Sequence, residues 1–414
     1  MLTEAARAYA LAQVSAIAGR SIAVTDVDPN SLERWFREWS RTPERERRTR
    51  DAWGNWDFSF ADAHRQGLSF RPWLDEEIVG TLGAAAAGRW PDGRAFALCL
   101  THDLDFVTRE PAPRESLRHL LRDLPAAARA GSAAAGAMAR HACLRAAFRL
   151  LTLKGVRRPV ERGYDEWLAL EDRHGFRSTF HVFPEKVTAP HPYDCTYSYS
   201  DPASYPGRLS AGAMIRAIDR AGWEIGLHGS YHSAVRPGLL AEQRAQIERL
   251  VGRAVTSTRQ HWLHYDAELT PRLQSEAGLR VDSTQGFNRS IGFRAGTAFP
   301  YGCWDLAGNR PLPLLEVPQH VMDGGLFTAN ALAYDVDLAV RHCVELMDRV
   351  QAVGGCLTLS WHPNHLEIPE YWSTYEQVLE EAARRKAWGC SLRELADWWL
   401  ERRPAQAPGR ERLS

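Results

Sequence analysis

Along this chain, short apolar runs stop abruptly at acidic or imidazole residues, and stretches with apolar residues at helical spacing separate them. The runs at 95–100, 178–183, 223–227 and 356–361 predict buried strands. Between them GYDEWLALEDRH at 163–174, closed by Gly175, and residues 209–221, closed by Gly222, predict helices. Recurring helix-then-strand units predict a parallel α/β arrangement with its chemistry at the strand ends. WSTYEQVLEEAARRKAWGCSLRELADWWLE at 372–401 reads as a final helical region, and the Pro- and Arg-rich tail, 403–414, as disordered.

Residues 1–92 read as a separate, mainly helical accessory region. Apolar residues in the first eighteen positions recur at helical spacing, and Ser31 is placed to cap a second helix, SLERWFREWS. RTPERERRTRD at 41–51 reads as a solvated mixed-charge stretch. The aromatic cluster Trp53, Trp56, Phe58, Phe60, Phe70 and Trp73 predicts packing against a neighbouring domain. A Pro-Asp-Gly turn at 91–93 closes this region and opens a catalytic domain over 93–402. Within that domain, residues 107–160 are Ala- and Arg-rich with cations between helically spaced apolar positions. They read as a surface helical insertion, or as a basic face making peripheral contact with an anionic membrane.

Composition narrows the function. Lys plus Arg and Asp plus Glu both number 51, which argues against a nucleic-acid footprint over the whole molecule. The 15 Trp suit a cleft that stacks on sugar faces, or a large core. Seven scattered Cys without a CxxC suggest neither a disulfide framework nor a thiolate zinc site. The N-terminal stretch does not read as a signal peptide and no apolar run reaches about eighteen residues, so a cytoplasmic protein is expected.

Candidate chemistry begins at AFALCLTHDLDF, 95–106, where a strand pattern breaks into Asp103 and Asp105. Continued extension through Leu104 would put both carboxylates on one side, a pairing that asks for a cation or an acid/base role. WEIGLHGSYHS then delivers His228 and His232 at i and i+4. On a helical turn they would share one face about 5–6 Å apart, and with one carboxylate they would complete a two-His, one-carboxylate site with open positions for water and substrate.

In order, LTHDLD (100–105), HGSYHS (228–233), RQHWLHYD (259–266) and LSWHPNH (359–365) resemble the motifs of the polysaccharide deacetylases of carbohydrate esterase family four, over roughly residues 95–400. The resemblance implies a distorted (β/α) barrel of about seven units. It also implies a metal-dependent hydrolase that removes an N-acetyl group from an acetamido sugar in a saccharide or its biosynthetic intermediate. By the same resemblance Asp103 is the general base, Asp105, His228 and His232 bind one divalent ion, His362 is the general acid and Arg259 orients the base. The ion is expected to be zinc, with manganese, cobalt or nickel as alternatives. Leu104 separates the two aspartates, and the third motif lacks its usual proline after Arg259.

Further expectations attach to the same resemblance. The main chain near Trp262 is expected to help hold the oxyanion. Residues 282–301 resemble a groove wall of bacterial deacetylases associated with surface-polysaccharide assembly. Trp262, Tyr265, Asp282, Arg294 and Trp361 are expected to contact substrate. A protonated His362 requires a nearby carboxylate, so one is predicted beside it, and His365 is the competing acid. Two other readings stand beside the deacetylase: hydrolysis of another linear amide or ureido compound, and a non-catalytic carbohydrate-binding protein.

Overall fold

The structure is a computed structural model, and it describes residues 1–402 except 48, 52, 53, 57, 58, 60, 61, 84–87, 108–162, 208, 329, 366 and 367. The expected insertion and membrane contact at 107–160 and the expected disorder at 403–414 therefore lie outside the described residues, Val107 aside. Trp53, Phe58 and Phe60 of the aromatic cluster lie outside them too.

The strands, in chain order, are β1 (Ala97–Leu104), β2 (Thr179–Val182), β3 (Glu224–Gly229), β4 (Ser257–Gln260), β5 (Val281–Asp282), β6 (Tyr301–Asp305), β7 (Arg310–Glu316), β8 (Val321–Met322), β9 (Cys356–Ser360) and β10 (Trp388–Cys390). β1 is buried along its whole length and has three strand partners in the sheet. It pairs in parallel with β9 through residues 97–101, with β10 through 97–99 and with β2 through 101–104. From β2 the parallel sheet runs through β3, β4 and β5 to β7, where β6 joins antiparallel, while β8 extends the far side beyond β9. This is the parallel α/β arrangement that the helix–strand alternation predicts, curled into the distorted barrel that the resemblance implies. It is open, since among the described residues no strand pairing joins its edge strands β6 and β8. Because these strands are parallel, their C-terminal ends face one side of the molecule, which gathers residues far apart in sequence.

Helices cover the sheet. α1 (Glu4–Ala18), α2 (Pro29–Trp39) and α3 (Trp73–Leu82) come from the N-terminal region. α4 (Tyr164–Asp172), α5 (Ala211–Arg220), α6 (Leu239–Val251), α7 (Val336–Val353), α8 (Pro369–Arg384) and α9 (Leu392–Glu401) follow the strands. The cap of α2 is Asp28, whose side chain accepts from the Ser31 amide; Pro29 takes the first helical position, moving the start ahead of the expected Ser31. The predicted last helical region is two helices separated by β10, whose Trp388–Cys390 segment pairs with β1. Here tertiary pairing overrides local helical spacing.

The N-terminal region shares one buried hydrophobic cluster with the barrel rather than keeping a core to itself. Its stretch at 41–51 is not wholly solvated as expected. Arg41 and Glu44 are buried, and Glu44 accepts from Arg294 at 3.1 and 2.8 Å while also pairing with Arg41. Asp75 accepts from Thr297 Oγ1 and the Ala298 amide at 2.6 Å, and the Tyr9 hydroxyl donates to the Gly302 carbonyl. At Gly292, φ is 120° and a Cβ would lie 2.2 Å from the Ser69 carbonyl oxygen, so only glycine fits this seam. These contacts hold Tyr9, Glu44, Ser69 and Asp75 of the N-terminal region against the segment 292–302.

Candidate active site

Four strand ends supply the site. β1 carries Asp103 within the strand and Asp105 just beyond it; β3 carries His228; β4 carries Arg259 and is followed by His261; β9 is followed by Trp361 and His362. Asp105 lies at the meeting point. Its Oδ1 is 3.3 Å from His228 Nε2 and 3.6 Å from His261 Nδ1, and its Oδ2 is 3.7 Å from His362 Nε2. The Cys195 thiol donates to Asp105 Oδ1 at 3.7 Å.

Donor atoms of Asp105, His228 and His261 all lie within 4.8 Å of one another, so these three form a candidate metal centre. Their hydrogen bonds define which ring nitrogens face inward. His228 Nδ1 donates to the Arg259 carbonyl at 3.0 Å, and His261 Nε2 donates to the Tyr193 carbonyl at 2.7 Å. A carbonyl can only accept, so each outer nitrogen carries a proton, and in the neutral imidazole each inner nitrogen presents a lone pair. Those inner nitrogens face each other across 2.9 Å with a carboxylate beside them. Two lone pairs and an anion at that separation repel unless a proton or a metal cation lies among them, and nitrogen and oxygen donors suit a borderline divalent ion such as zinc.

His232 is not brought to this cluster. The expected i, i+4 pairing needs a helical turn across 228–232, but His228 is in an extended strand that ends at Gly229. The next turn, Tyr231–Ala234, starts a new direction. The half-buried His232 ring instead packs edge-on against His191 and Tyr231, at 5.1 and 5.6 Å between centroids. His261 stands where His232 was expected.

Asp103 sits deeper, buried and clamped. Arg259 Nη1 donates to its Oδ1 at 3.0 Å, His181 Nδ1 to the same oxygen at 3.1 Å, and the Ser360 hydroxyl to Oδ2 at 3.5 Å. Burial opposes its ionisation, but the Arg259 guanidinium, helped by His228 and His181, outweighs burial and holds the carboxyl well below its ordinary range. Arg259 is itself wholly buried. It also donates to Thr101 Oγ1 at 2.7 Å, Ser360 Oγ at 2.9 Å, Ser283 O at 2.7 Å and Ser283 Oγ at 2.9 Å. Burial keeps His181 neutral, its pKa pulled down to about 4 against the opposing bond to Asp103. Asp105 is held ionised, down to about 2, because His261, His228 and His362 outweigh its burial.

The carboxylate predicted beside His362 is Asp323, which directly follows β8. It accepts from His362 Nδ1 at 2.6 Å, from the His362 amide at 2.8 Å and from His365 Nδ1 at 3.1 Å. Burial would lower the pKa of His362, but Asp323, then Asp105 and Asp103, raise it to about 10. Asp323, His362 and His365 also have donors within 4.8 Å of one another. Their ion pairing favours a proton there over a second cation. Below them, His102 shares hydrogen bonds with the Trp361 carbonyl at 2.8 Å and the Glu171 carboxylate at 2.7 Å, tying β1 to the segment that carries His362.

Of the expected substrate contacts, only Trp262 is partly exposed at the site. Tyr265, Asp282, Arg294 and Trp361 are buried. Arg294 pairs with Glu44, Asp282 accepts from Thr284 Oγ1 at 2.5 Å behind Arg259, and Trp361 packs on Tyr375 with ring centroids 5.2 Å apart. Trp262 lies over Tyr193, with ring centroids 4.9 Å apart, and both it and Leu263 are left-handed, at φ 61° and 49°. For residues with large side chains, such backbone conformations cost on the order of 1–3 kcal/mol each and persist only where surroundings enforce them.

No protein-family model and no curated protein matches the chain. Solved structures do. A polysaccharide deacetylase structure from Mycobacterium smegmatis shares 21% identity, covering 75% of this chain and 92% of that one at a TM-score of 0.48. An allantoinase structure shares 14%, covering 78% and 95% at 0.47. A polysaccharide deacetylase structure from Pseudomonas aeruginosa PAO1 shares 15%, covering 78% and 96% at 0.45.

Proposed function

We propose that this protein is a metal-dependent hydrolase that removes the acetyl group from an acetamido sugar. The supporting observation is that lone pairs of His228 and His261 converge on the Asp105 carboxylate, with the His362–Asp323 pair on the other side of that carboxylate. A divalent ion held by Asp105, His228 and His261 would supply Lewis acidity and would lower the pKa of water there, toward about 7 for zinc.

The chain's own groups divide the proton work. Asp103, kept ionised by Arg259, accepts the proton of the attacking water. His362, kept as imidazolium by Asp323, gives its proton to the departing nitrogen, since an amine anion is too poor a leaving group. Trp262, beside Tyr193, offers an aromatic face for a sugar ring. With this reading go the finer expectations: zinc as the ion, an intermediate of surface-polysaccharide assembly as the substrate and the cytoplasm as the location.

The test is incubation of zinc-loaded protein with N-acetylated saccharides and carrier-linked acetamido sugars, measuring free acetate and free ammonia. Acetate release that disappears in His362→Ala supports the reading. Ammonia release from ureido or other linear amides, without acetate, would replace it.

A further inference from the structure

The strained turn beside His261 is held from outside the barrel. The carbonyl of Trp262 accepts from two side-chain amides, Asn55 Nδ2 at 2.8 Å and Asn288 Nδ2 at 2.9 Å. Asn288 belongs to the segment after β5, whereas Asn55 reaches across from the N-terminal region, 207 residues away in sequence. Asn55 is buried and is itself fixed: its amide donates to Asp51 Oδ1 at 2.9 Å and its carbonyl accepts from the Asp51 amide at 2.7 Å. Its neighbour Gly54 has φ 75°, and a Cβ there would lie 2.6 Å from the Tyr231 hydroxyl. The approach of this loop to the site is therefore built into the backbone.

A left-handed Trp262 sends its carbonyl away from the path of a regular strand end, where it would otherwise seek a partner. His261 precedes it directly, and its Nδ1 must face Asp105 while its Nε2 faces Tyr193. We propose that Asn55, together with Asn288, is a positioning residue for the metal centre, holding the His261–Leu263 turn in the conformation that aims His261 at Asp105. The N-terminal region is then part of the site. This rests on reading Asp105, His228 and His261 as metal ligands.

The experiment uses the full-length chain, stripped of metal, in four forms: wild type, Asn55→Asp, Asn288→Asp and His261→Ala. An aspartate keeps the shape of asparagine but presents only acceptor oxygens to the Trp262 carbonyl. Zinc affinity is measured by calorimetry, the cobalt(II) visible spectrum reads the ligand geometry, and circular dichroism and thermal unfolding follow the fold. Asn55→Asp and Asn288→Asp are each expected to weaken zinc binding about 10- to 100-fold and alter the cobalt spectrum with the fold intact. Wild-type affinity and spectrum in both, alongside weakened binding in His261→Ala, would overturn the proposal and leave the metal centre standing. A lower unfolding temperature without any change in metal binding would overturn it equally. Should Asn55→Asp not fold, Asn288→Asp decides, since it removes the second bond to the same carbonyl. A wild type that binds no zinc would overturn both this proposal and the hydrolase reading.

Discussion

The carboxylate of Asp323 grips His362 twice, accepting from its ring Nδ1 at 2.6 Å and from its backbone amide at 2.8 Å. The ring contact stabilises the imidazolium through Nδ1, leaving the proton an acid catalyst must give away on Nε2, which faces Asp105 at 3.7 Å, while the amide contact fixes the ring's direction. Deacetylation should therefore persist to alkaline pH and fall as pH rises through the pKa of His362. That pKa is about 10 without an ion and lower when a divalent ion compensates Asp105. Asp323→Asn removes the principal charge behind the shift, so the alkaline limb of the kcat profile should move to lower pH. The same pair contributes stability that is complete below about pH 6.5, the ordinary histidine value, and is lost as pH rises through about 10. Denaturant unfolding at stepped pH should show that decline in the wild type and less of it in Asp323→Asn.

Ligand choice separates two histidines that the sequence could exchange. Purified protein should carry about one zinc per chain. His261→Ala should lose most of it, and His232→Ala should retain it, because of these two rings that of His261 reaches Asp105 and that of His232 packs on His191. Elemental analysis after gel filtration decides; equal loss in both variants would refute the assignment.

Arg259 satisfies Asp103 from a wholly buried position and makes four further hydrogen bonds. Arg259→Ala leaves a buried carboxylate uncompensated, and a destabilisation of about 3–5 kcal/mol is expected. Arg259→Lys keeps the charge without the planar fork, so it should recover part of that stability but little activity. Urea unfolding and acetate release, measured together, test the split.

Much of the barrel is readable in the sequence because β1, β2, β3 and β9 are apolar runs that end in chemically distinctive residues. Asp103, Asp105, His228 and His362 stand out for that reason. Asp323 does not, because it precedes two glycines in what reads as a turn, and His261, although it lies in the third motif, is not marked as a candidate ligand, because it follows a strand of polar residues, Ser257–Gln260. His232 misleads because imidazoles four apart signal one face only on a helix, and no local pattern marks where β3 stops. The burial of Asp282, Arg294 and Trp361 depends on partners such as Glu44, which is 250 residues from Arg294, a separation that no sequence window spans.

Glu44 is buried between Arg41 and Arg294, and its burial is tolerated only because those cations outweigh it and hold its pKa below the ordinary value. Glu44→Gln should lower stability and let a protease cut within the N-terminal region before the barrel unfolds. In the wild type the contribution should vanish as pH falls through the depressed pKa. Limited trypsin digestion with mass readout distinguishes local release from global unfolding.

The seam joining Glu44 to Arg294 also sets a schedule. A ribosome adding about 5–20 residues per second needs roughly 12–50 s to synthesise the 250 residues between them. Throughout that interval the first helices have been made but lack the surface that finally covers them. A nascent chain of this protein should therefore bind holding chaperones early, and release from them should await the emergence of the stretch around Gly292.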